Sequence, residues 1–289
     1  MSNQPISKSV LITGCSTGIG RATALRLAQA GWKVYATART VEKLADLEKA
    51  GCRTLTLDVM DEASMQAAVR QVEQEDGAVG ALINNAGYSL SGALETVDMG
   101  DVRRQFETNV FGLLRLTQLV LPGMRRQGWG KVVNIGSMGG KLTFPGGGAY
   151  HATKHAVEAL SDALRFEVRG FGVDVVLVQP GLIRTEFSQA AVSHMGANLQ
   201  KADGPYARFN SAVAQSTQDA YVKGPLAKLG GEADDVARTI QRALEARRPR
   251  ARYTVTASAR VLLAQRAMMS DGLWDAFLRT QFPQPGAKN

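Results

Sequence analysis

Tyr150 and Lys154 stand four positions apart in a stretch, Tyr150 to Val168, that reads as a helix. Residues at that spacing share one helical face. An ammonium held beside a phenol stabilises the phenolate and draws its pKa down from about 10 toward working pH. Such a tyrosine can protonate a carbonyl oxygen or take the proton of an alcohol. Taken alone, the same spacing occurs on any amphipathic surface helix. The pair has company, however. Ser137 precedes Tyr150 by thirteen residues and follows a short apolar run, so its hydroxyl could hold a substrate oxygen. Asn109 lies in the helix-like Glu107-Thr108-Asn109-Val110. Asn84-Asn85-Ala86-Gly87 and Pro180-Gly181 each close another apolar run, with Thr185 just after the second.

A second group of residues has the chemistry of phosphate binding. Thr13-Gly14-Cys15-Ser16-Thr17-Gly18-Ile19-Gly20 falls between a first β-like run and a first helix. Gly14 permits a tight turn, Gly18 lets backbone approach a pyrophosphate, and Gly20 lets the helix pack against the sheet. The helix N-terminus adds free N–H groups and partial positive charge. Glycines also mark plain turns, and it is the place between strand and helix that turns the triplet into a dinucleotide signature. The next run, Tyr35-Ala36-Thr37-Ala38-Arg39, reaches no acid before Glu42. An acid there would bind the ribose 2′-hydroxyl of NAD, whereas a guanidinium at Arg39 suits the 2′-phosphate of NADP. The plainer reading of Arg39 is a surface arginine. Asp58, just after the third run, could meet the adenine, with Val59 beside it among the cofactor-binding residues.

These residues need a scaffold, and the patterning supplies one. Strands are expected at residues 9–13, 33–37, 53–57, 81–83, 131–135 and 173–178, with a seventh at 253–255. Helix-like segments separate them. This is the pattern of an α/β fold: a doubly wound (Rossmann), mostly parallel seven-stranded sheet with helices on both faces. Its ligand cleft lies at the carboxyl ends of the strands where the strand order reverses. Residues 1–257 read as one dinucleotide-binding and catalytic domain, and residues 184–230 within it as a substrate loop without a strand, either a functional lid or a loop that becomes partly helical. Residues 258–289 read as a helical tail packed on the same domain, because Val261, Leu262, Leu263, Met268, Met269, Leu273, Trp274, Phe277 and Leu278 form an apolar stripe. A subunit interface would explain that stripe too, and membrane contact is the less favoured reading.

Composition narrows the class further. The chain has 289 residues, 45% hydrophobic and 21% charged, as in an ordinary globular protein. Cys15 and Cys52 offer no disulfide framework, so a reducing cytoplasm fits. The first ten residues lack the features of a secretory signal, and no apolar run reaches the roughly 18 residues of a membrane span. The net charge of +8 is partly concentrated in Arg242, Arg247, Arg248, Arg250 and Arg252. No nucleic-acid-binding motif accompanies them, and arginines at a helix end complement its dipole.

From about Ser9 to Phe187 the motifs together, in order and spacing, resemble the short-chain dehydrogenase/reductase family in its single-domain branch. The resemblance implies an NADP(H)-dependent oxidoreductase that reduces a ketone or aldehyde, or oxidises the corresponding alcohol, with no metal. Asn109, Ser137, Tyr150 and Lys154 look like the family's catalytic tetrad. In that reading Asn109 holds a water that relays protons through Lys154, and Lys154 also binds the nicotinamide ribose. Ser16, Thr17 and Ile19 join the three glycines at the cofactor. Asn85, Ala86 and Gly87 border its ribose. Pro180, Gly181, Ile183 and Thr185 touch the nicotinamide, Thr185 at the carboxamide. Gly14-Cys15-Ser16-Thr17-Gly18, Val34 to Arg39 and Ala156 to Ser161 are similar to enzymes of steroids, retinoids and other large apolar alcohols or ketones. The pocket would draw on Met138, Leu142, Phe144, Pro145 and the loop near Phe187. Gly146-Gly147-Gly148 would leave room beside Tyr150 or form a flexible turn. The resemblance also implies a homodimer or homotetramer, built through the helices that carry Asn109 and Tyr150. Three other readings stay open: a non-catalytic NADP-binding sensor or scaffold, an epimerase or dehydratase on the same fold, and a membrane-associated lipid enzyme.

Overall fold

Val, Ile, Leu and Ala fill the short runs at the centre of the sheet, where a parallel strand must be apolar on both sides, and the two edge runs, with Arg53 and Arg252, are more polar. They become β1 (Val10–Ile12), β2 (Val34–Ala38), β3 (Arg53–Thr56), β4 (Ala81–Asn84), β5 (Gly130–Ile135) and β6 (Val173–Pro180). Then come the two-residue strands β7 (Ile183–Arg184) and β8 (Gly231–Glu232), and finally β9 (Arg252–Val255). The computed structural model describes residues 6–186 and 204–287; Phe187, expected at the pocket, lies outside them. The main sheet has seven strands in the order β3-β2-β1-β4-β5-β6-β9, all paired in parallel. The order reverses between β1 and β4, so the glycine turn and the Asn85 turn leave the sheet side by side.

The helices are α1 (Gly18–Gln29), α2 (Ala45–Lys49), α3 (Glu62–Asp76), α4 (Met99–Phe106), α5 (Gly112–Gln127), α6 (Gly148–Val168), α7 (Ala207–Val222), α8 (Ala233–Glu245), α9 (Ala257–Met268) and α10 (Asp271–Arg279). Strand alternation divides the core between the two faces. Val10 and Ile12 pack with Leu27 of α1 and Ile240 of α8, and Leu11 packs with Val72 of α3 and Leu116 of α5.

The structure fills in two expectations and corrects a third. Residues 184–230 are bracketed by a short strand pair, Ile183 and Arg184 in parallel with Gly231 and Glu232, and among the described residues between them α7 makes the segment partly helical. Such short strands carry no periodicity to read. The arginines expected at the helix end are not the ones that complete it. The end of α8 is held by a buried lysine, Lys131 of β5, whose Nζ donates to the carbonyls of Leu244 at 2.8 Å and Ala246 at 2.5 Å. Arg252 instead turns to Glu158 and Asp162 on α6, at 3.0 and 2.5 Å. The apolar stripe of the tail meets the catalytic side of the domain, where Leu262 and Trp274 pack with Met138, Leu142 and Leu182. Among the described residues no helix is long and apolar enough to cross a membrane.

Candidate active site

At the switch point, Asn85 ties the glycine turn to β4. Its side-chain amide donates to the carbonyls of Thr13 at 2.9 Å and Gly14 at 3.1 Å. The Thr13 hydroxyl accepts from the backbone N–H of Asn85 and of Ala86, at 3.0 and 2.9 Å. Gly14 and Gly18 both have positive φ, +72° and +57°, a region glycine enters without cost. Gly20 serves a different purpose from the one expected: a side chain there would overlap the Gly14 carbonyl and the Asn85 amide, so it guards the turn itself. Thr17 begins α1 without a side-chain cap, and the first turn holds no acid. Its free N–H groups and positive dipole end therefore fit a pyrophosphate. A Cβ on Gly18 would stand 3.5 Å from the Thr185 side chain, so the turn and the segment after β6 face each other. Ser16 and Ile19 are half-buried at the same turn and Thr17 is exposed.

Arg39 is exposed at the end of β2 and makes no hydrogen bond or ion pair among the described residues, which leaves its guanidinium available to a phosphate. Asp58 caps its own turn, accepting from the N–H of Met60 at 2.9 Å, and Val59 is buried against Gly112 of α5. Pro180 ends β6. Gly181 lies against Thr256 and Ser258 at the start of α9, where a side chain would overlap both hydroxyls. Ile183 sits in the main core. Of the segment assigned to nicotinamide, Thr185 is thus the residue placed opposite the glycine turn.

The four catalytic candidates come together. Asn109 sits in a π-type turn, Glu107–Phe111, between α4 and α5; such insertions widen a helix and recur at functional sites. Its side chain is fully engaged: the amide donates to the Tyr88 carbonyl at 2.9 Å and to the Thr153 hydroxyl at 3.2 Å, and Oδ1 accepts from the Tyr88 N–H at 3.1 Å. Gly87 passes so close that a Cβ would lie 3.0 Å from Oδ1. Lys154 is buried and donates to the Ile135 carbonyl at 2.8 Å. Its Nζ stands 5.8 Å from the centre of the Tyr150 ring. Ser137 hydrogen-bonds Tyr150 and accepts from the Gly139 N–H at 3.0 Å.

The electrostatics differ from the expectation. Burial pushes the Tyr150 phenol up to about 12, opposed in part by the Ser137 hydrogen bond. Burial likewise pushes Lys154 down to about 8. The ammonium spends a donor on Ile135, and desolvation, the largest influence on both groups, outweighs its attraction for a phenolate.

Around these groups lies an apolar wall. Met138, Leu142 and Phe144 pack with Leu182 and Trp274, whereas Pro145 is half-buried in the same loop. The three glycines before Tyr150 leave no open space: side chains at Gly146, Gly147 and Gly148 would press on Val213, His151 and Leu94 respectively. Close approach, more than flexibility, explains them. The sequence reading missed Tyr221 of α7, a half-buried phenol in the same cluster within electrostatic reach of Tyr150. Nothing in its neighbourhood marks it. It also missed His151 and Thr153, although both follow Tyr150 directly.

With this geometry in place, residues 8–196 match the profile of the short chain dehydrogenase family. A probable short-chain type dehydrogenase/reductase, VdlC of Helicobacter pylori, is 31% identical over 93% of this chain and 96% of its own. An NADPH-dependent 3-dehydrocapnine reductase of Ornithobacterium rhinotracheale is 34% identical over 92% and 94%. Among solved structures, a short-chain dehydrogenase from Streptomyces avermitilis superposes with a TM-score of 0.77 at 33% identity, covering 96% of this chain and 97% of that one. A relative from Burkholderia phymatum in complex with NAD gives 0.76 at 28% identity, covering 98% of both chains. A serine dehydrogenase complexed with NADP+ gives 0.73 at 28% identity, covering 86% and 94%. The chain belongs to the short-chain dehydrogenase family. It is an oxidoreductase that acts on alcohol or carbonyl groups.

Proposed function

We propose that this chain is an NADPH-dependent reductase of an apolar ketone or aldehyde, with Tyr150 as proton donor. The observation that carries the reading is a phenol kept protonated by burial and hydrogen-bonded to Ser137, beside an apolar wall. A protonated phenol is ready to give its proton to an oxygen that gains negative charge. When bound, the nicotinamide supplies the hydride in reduction and accepts it in the reverse reaction. Ser137 holds the substrate oxygen. Lys154 donates to the ribose as well as to Ile135 and returns protons to Tyr150. Because the Asn109 side chain is engaged, the group it offers a relay water is its main-chain carbonyl. The glycine turn, Ser16, Thr17, Ile19 and the start of α1 hold the pyrophosphate. Arg39 meets the 2′-phosphate, Asp58 and Val59 the adenine, Asn85 to Gly87 the ribose, and Thr185 the carboxamide. The guanidinium of Arg39, unpaired among the described residues, and the NADPH dependence of the 3-dehydrocapnine reductase relative support NADP; the NAD-bound and NADP-bound neighbours are proteins of the same fold. A steroid, retinoid or lipid carbonyl suits the wall. Phe111 and Phe166, exposed on the turn before α5 and on α6, suit a homo-oligomer formed through those helices.

The test follows NADPH absorbance against steroid ketones, retinal, quinones and acyl ketones, with NADPH binding measured in parallel. Turnover is expected for at least one class and is lost in Tyr150→Phe. A Tyr150→Phe protein that binds NADPH and turns over at the parent rate refutes the assignment. Binding without turnover across the panel favours an NADP sensor.

A further inference from the structure

Ser137 is held by a turn whose conformation depends on a side chain outside the four catalytic candidates. The Gly139 N–H donates to Ser137 Oγ at 3.0 Å. The carbonyl of the same glycine lies 3.1 Å from Nδ1 of His151. A carbonyl can only accept, so Nδ1 carries the proton and donates. Burial also pushes the imidazole down to about 4, which keeps the ring neutral and this tautomer in place at neutral pH. The ring is clamped from two sides, since side chains at Gly139 or Gly147 would overlap it. Its centre is 5.6 Å from that of Tyr150 in an edge-on arrangement and 6.2 Å from that of Phe144.

We propose that His151 is a positioning residue: by fixing the Gly139–Gly140 peptide, whose N–H donates to the Ser137 carbonyl at 3.0 Å, it holds the turn that sets the Ser137 hydroxyl against Tyr150. Gly139 is buried, so without the imidazole its carbonyl loses its donor and the peptide between Gly139 and Gly140 can rotate. Rotation withdraws the Gly140 N–H from the Ser137 carbonyl, and the turn that presents the Gly139 N–H to Ser137 Oγ opens. The effect then falls on the step in which both hydroxyls meet the substrate oxygen, and not on nucleotide binding at the glycine turn. The inference rests on the reading of Tyr150 as proton donor.

Asparagine and leucine test it, because they share a shape and differ in the donor. The amide of Asn can take the place of Nδ1–H; Leu cannot. In His151→Asn, kcat with the fastest carbonyl of the substrate panel is expected to stay within threefold of the parent. In His151→Leu it is expected to fall at least tenfold, with KM for that carbonyl and the NADPH Kd unchanged. Crystal structures of the two variants give a readout that needs no turnover: Ser137 Oγ keeps its Gly139 N–H contact in the first and loses it in the second. Equal kcat in the two variants, or an unchanged Ser137 in His151→Leu, overturns the proposal. If the leucine protein fails to bind NADPH, His151→Phe, which keeps a ring without a donor, replaces it in the comparison. Tyr150→Phe run alongside separates the two failures. Activity retained there removes the proton-donor reading; activity lost there but kept in His151→Leu removes only the role of His151.

Discussion

The packing of α6 against β6 and the turn after Ser137 takes Lys154 out of water, with Tyr150 half-buried beside it, and it leaves the lysine at about 8 against an ordinary 10.5. A lysine whose folded pKa lies below its unfolded one binds fewer protons in the native state. Between those values the unfolded chain therefore holds the extra proton, and stability rises with pH. Below pH 8 both states are protonated and the full burial cost remains. Tyr150 acts in the opposite sense above pH 10, where the unfolded chain releases a phenolic proton that the native state keeps. We expect the stability difference between the parent and Lys154→Met, from urea unfolding at pH 8 and pH 10, to shift toward the parent by roughly 2 to 3 kcal/mol. A flat difference would mean that Lys154 is not desolvated in solution. Arg39 is the other residue whose role is a number. Removing an exposed but otherwise unpartnered guanidinium from a phosphate costs a charge-assisted hydrogen bond, so Arg39→Ala should raise KM for NADPH roughly tenfold and leave KM for NADH nearly unchanged. Equal effects on the two cofactors would place Arg39 away from the 2′-phosphate. Both residues could be picked from the chain by type and spacing. The direction of the Lys154 pKa shift could not, because burial is set by residues far away in sequence: Lys154 finds its acceptor in Ile135, nineteen positions earlier.

Short runs rich in Val, Ile, Leu and Thr announced all seven strands of the main sheet, since a central strand covered on both faces tolerates little else. Elements without such a demand stayed hidden. The π-type turn at Asn109 arises from one extra residue in a helix, and no residue type marks it. β7 and β8 are two residues each and owe their existence to each other. The helix ends show the same dependence on partners. α8 stops at Glu245, and the nearby arginines look like its complement, yet the group that reaches its last carbonyls is Lys131 from a strand more than a hundred residues earlier. Burying this ammonium is unfavourable by itself, which is why the Lys131 pKa is lowered. Lys131→Met relieves that burden but leaves the carbonyls of Ala243, Leu244 and Ala246 without their donor. Buried orphaned carbonyls cost about 1 to 3 kcal/mol each, more than the relief supplies. The expected result is a lower urea midpoint with an unchanged m-value. A midpoint equal to the parent's would show that water or the neighbouring arginines complete α8 in solution.

The molecule as a whole divides its labour between two apolar clusters. The sheet core carries the glycine turn and Arg39; the smaller cluster of the loop after Ser137, α7 and the tail carries the wall beside Tyr150. Gly181 is the seam, since its lack of a side chain lets α9 come up against the end of β6. Trp274 of α10 is the largest part of this wall. It is buried, its ring centre lies 5.8 Å from that of Phe144 and 5.2 Å from that of Phe277, and its indole N–H donates to the Thr143 carbonyl at 3.4 Å. The apolar stripe of the tail was visible as a pattern, but its target lies about 130 residues away and no local signal joins the two. Truncating a buried tryptophan costs roughly 3 to 5 kcal/mol of packing, here concentrated in the smaller cluster. Trp274→Ala should therefore lower kcat/KM for the best apolar carbonyl at least tenfold, while the NADPH Kd stays within twofold because the glycine turn rests on the other cluster. A parallel loss of NADPH affinity would mean that the two clusters unfold as one unit. An unchanged kcat/KM would mean that the substrate does not lean on the tail at all.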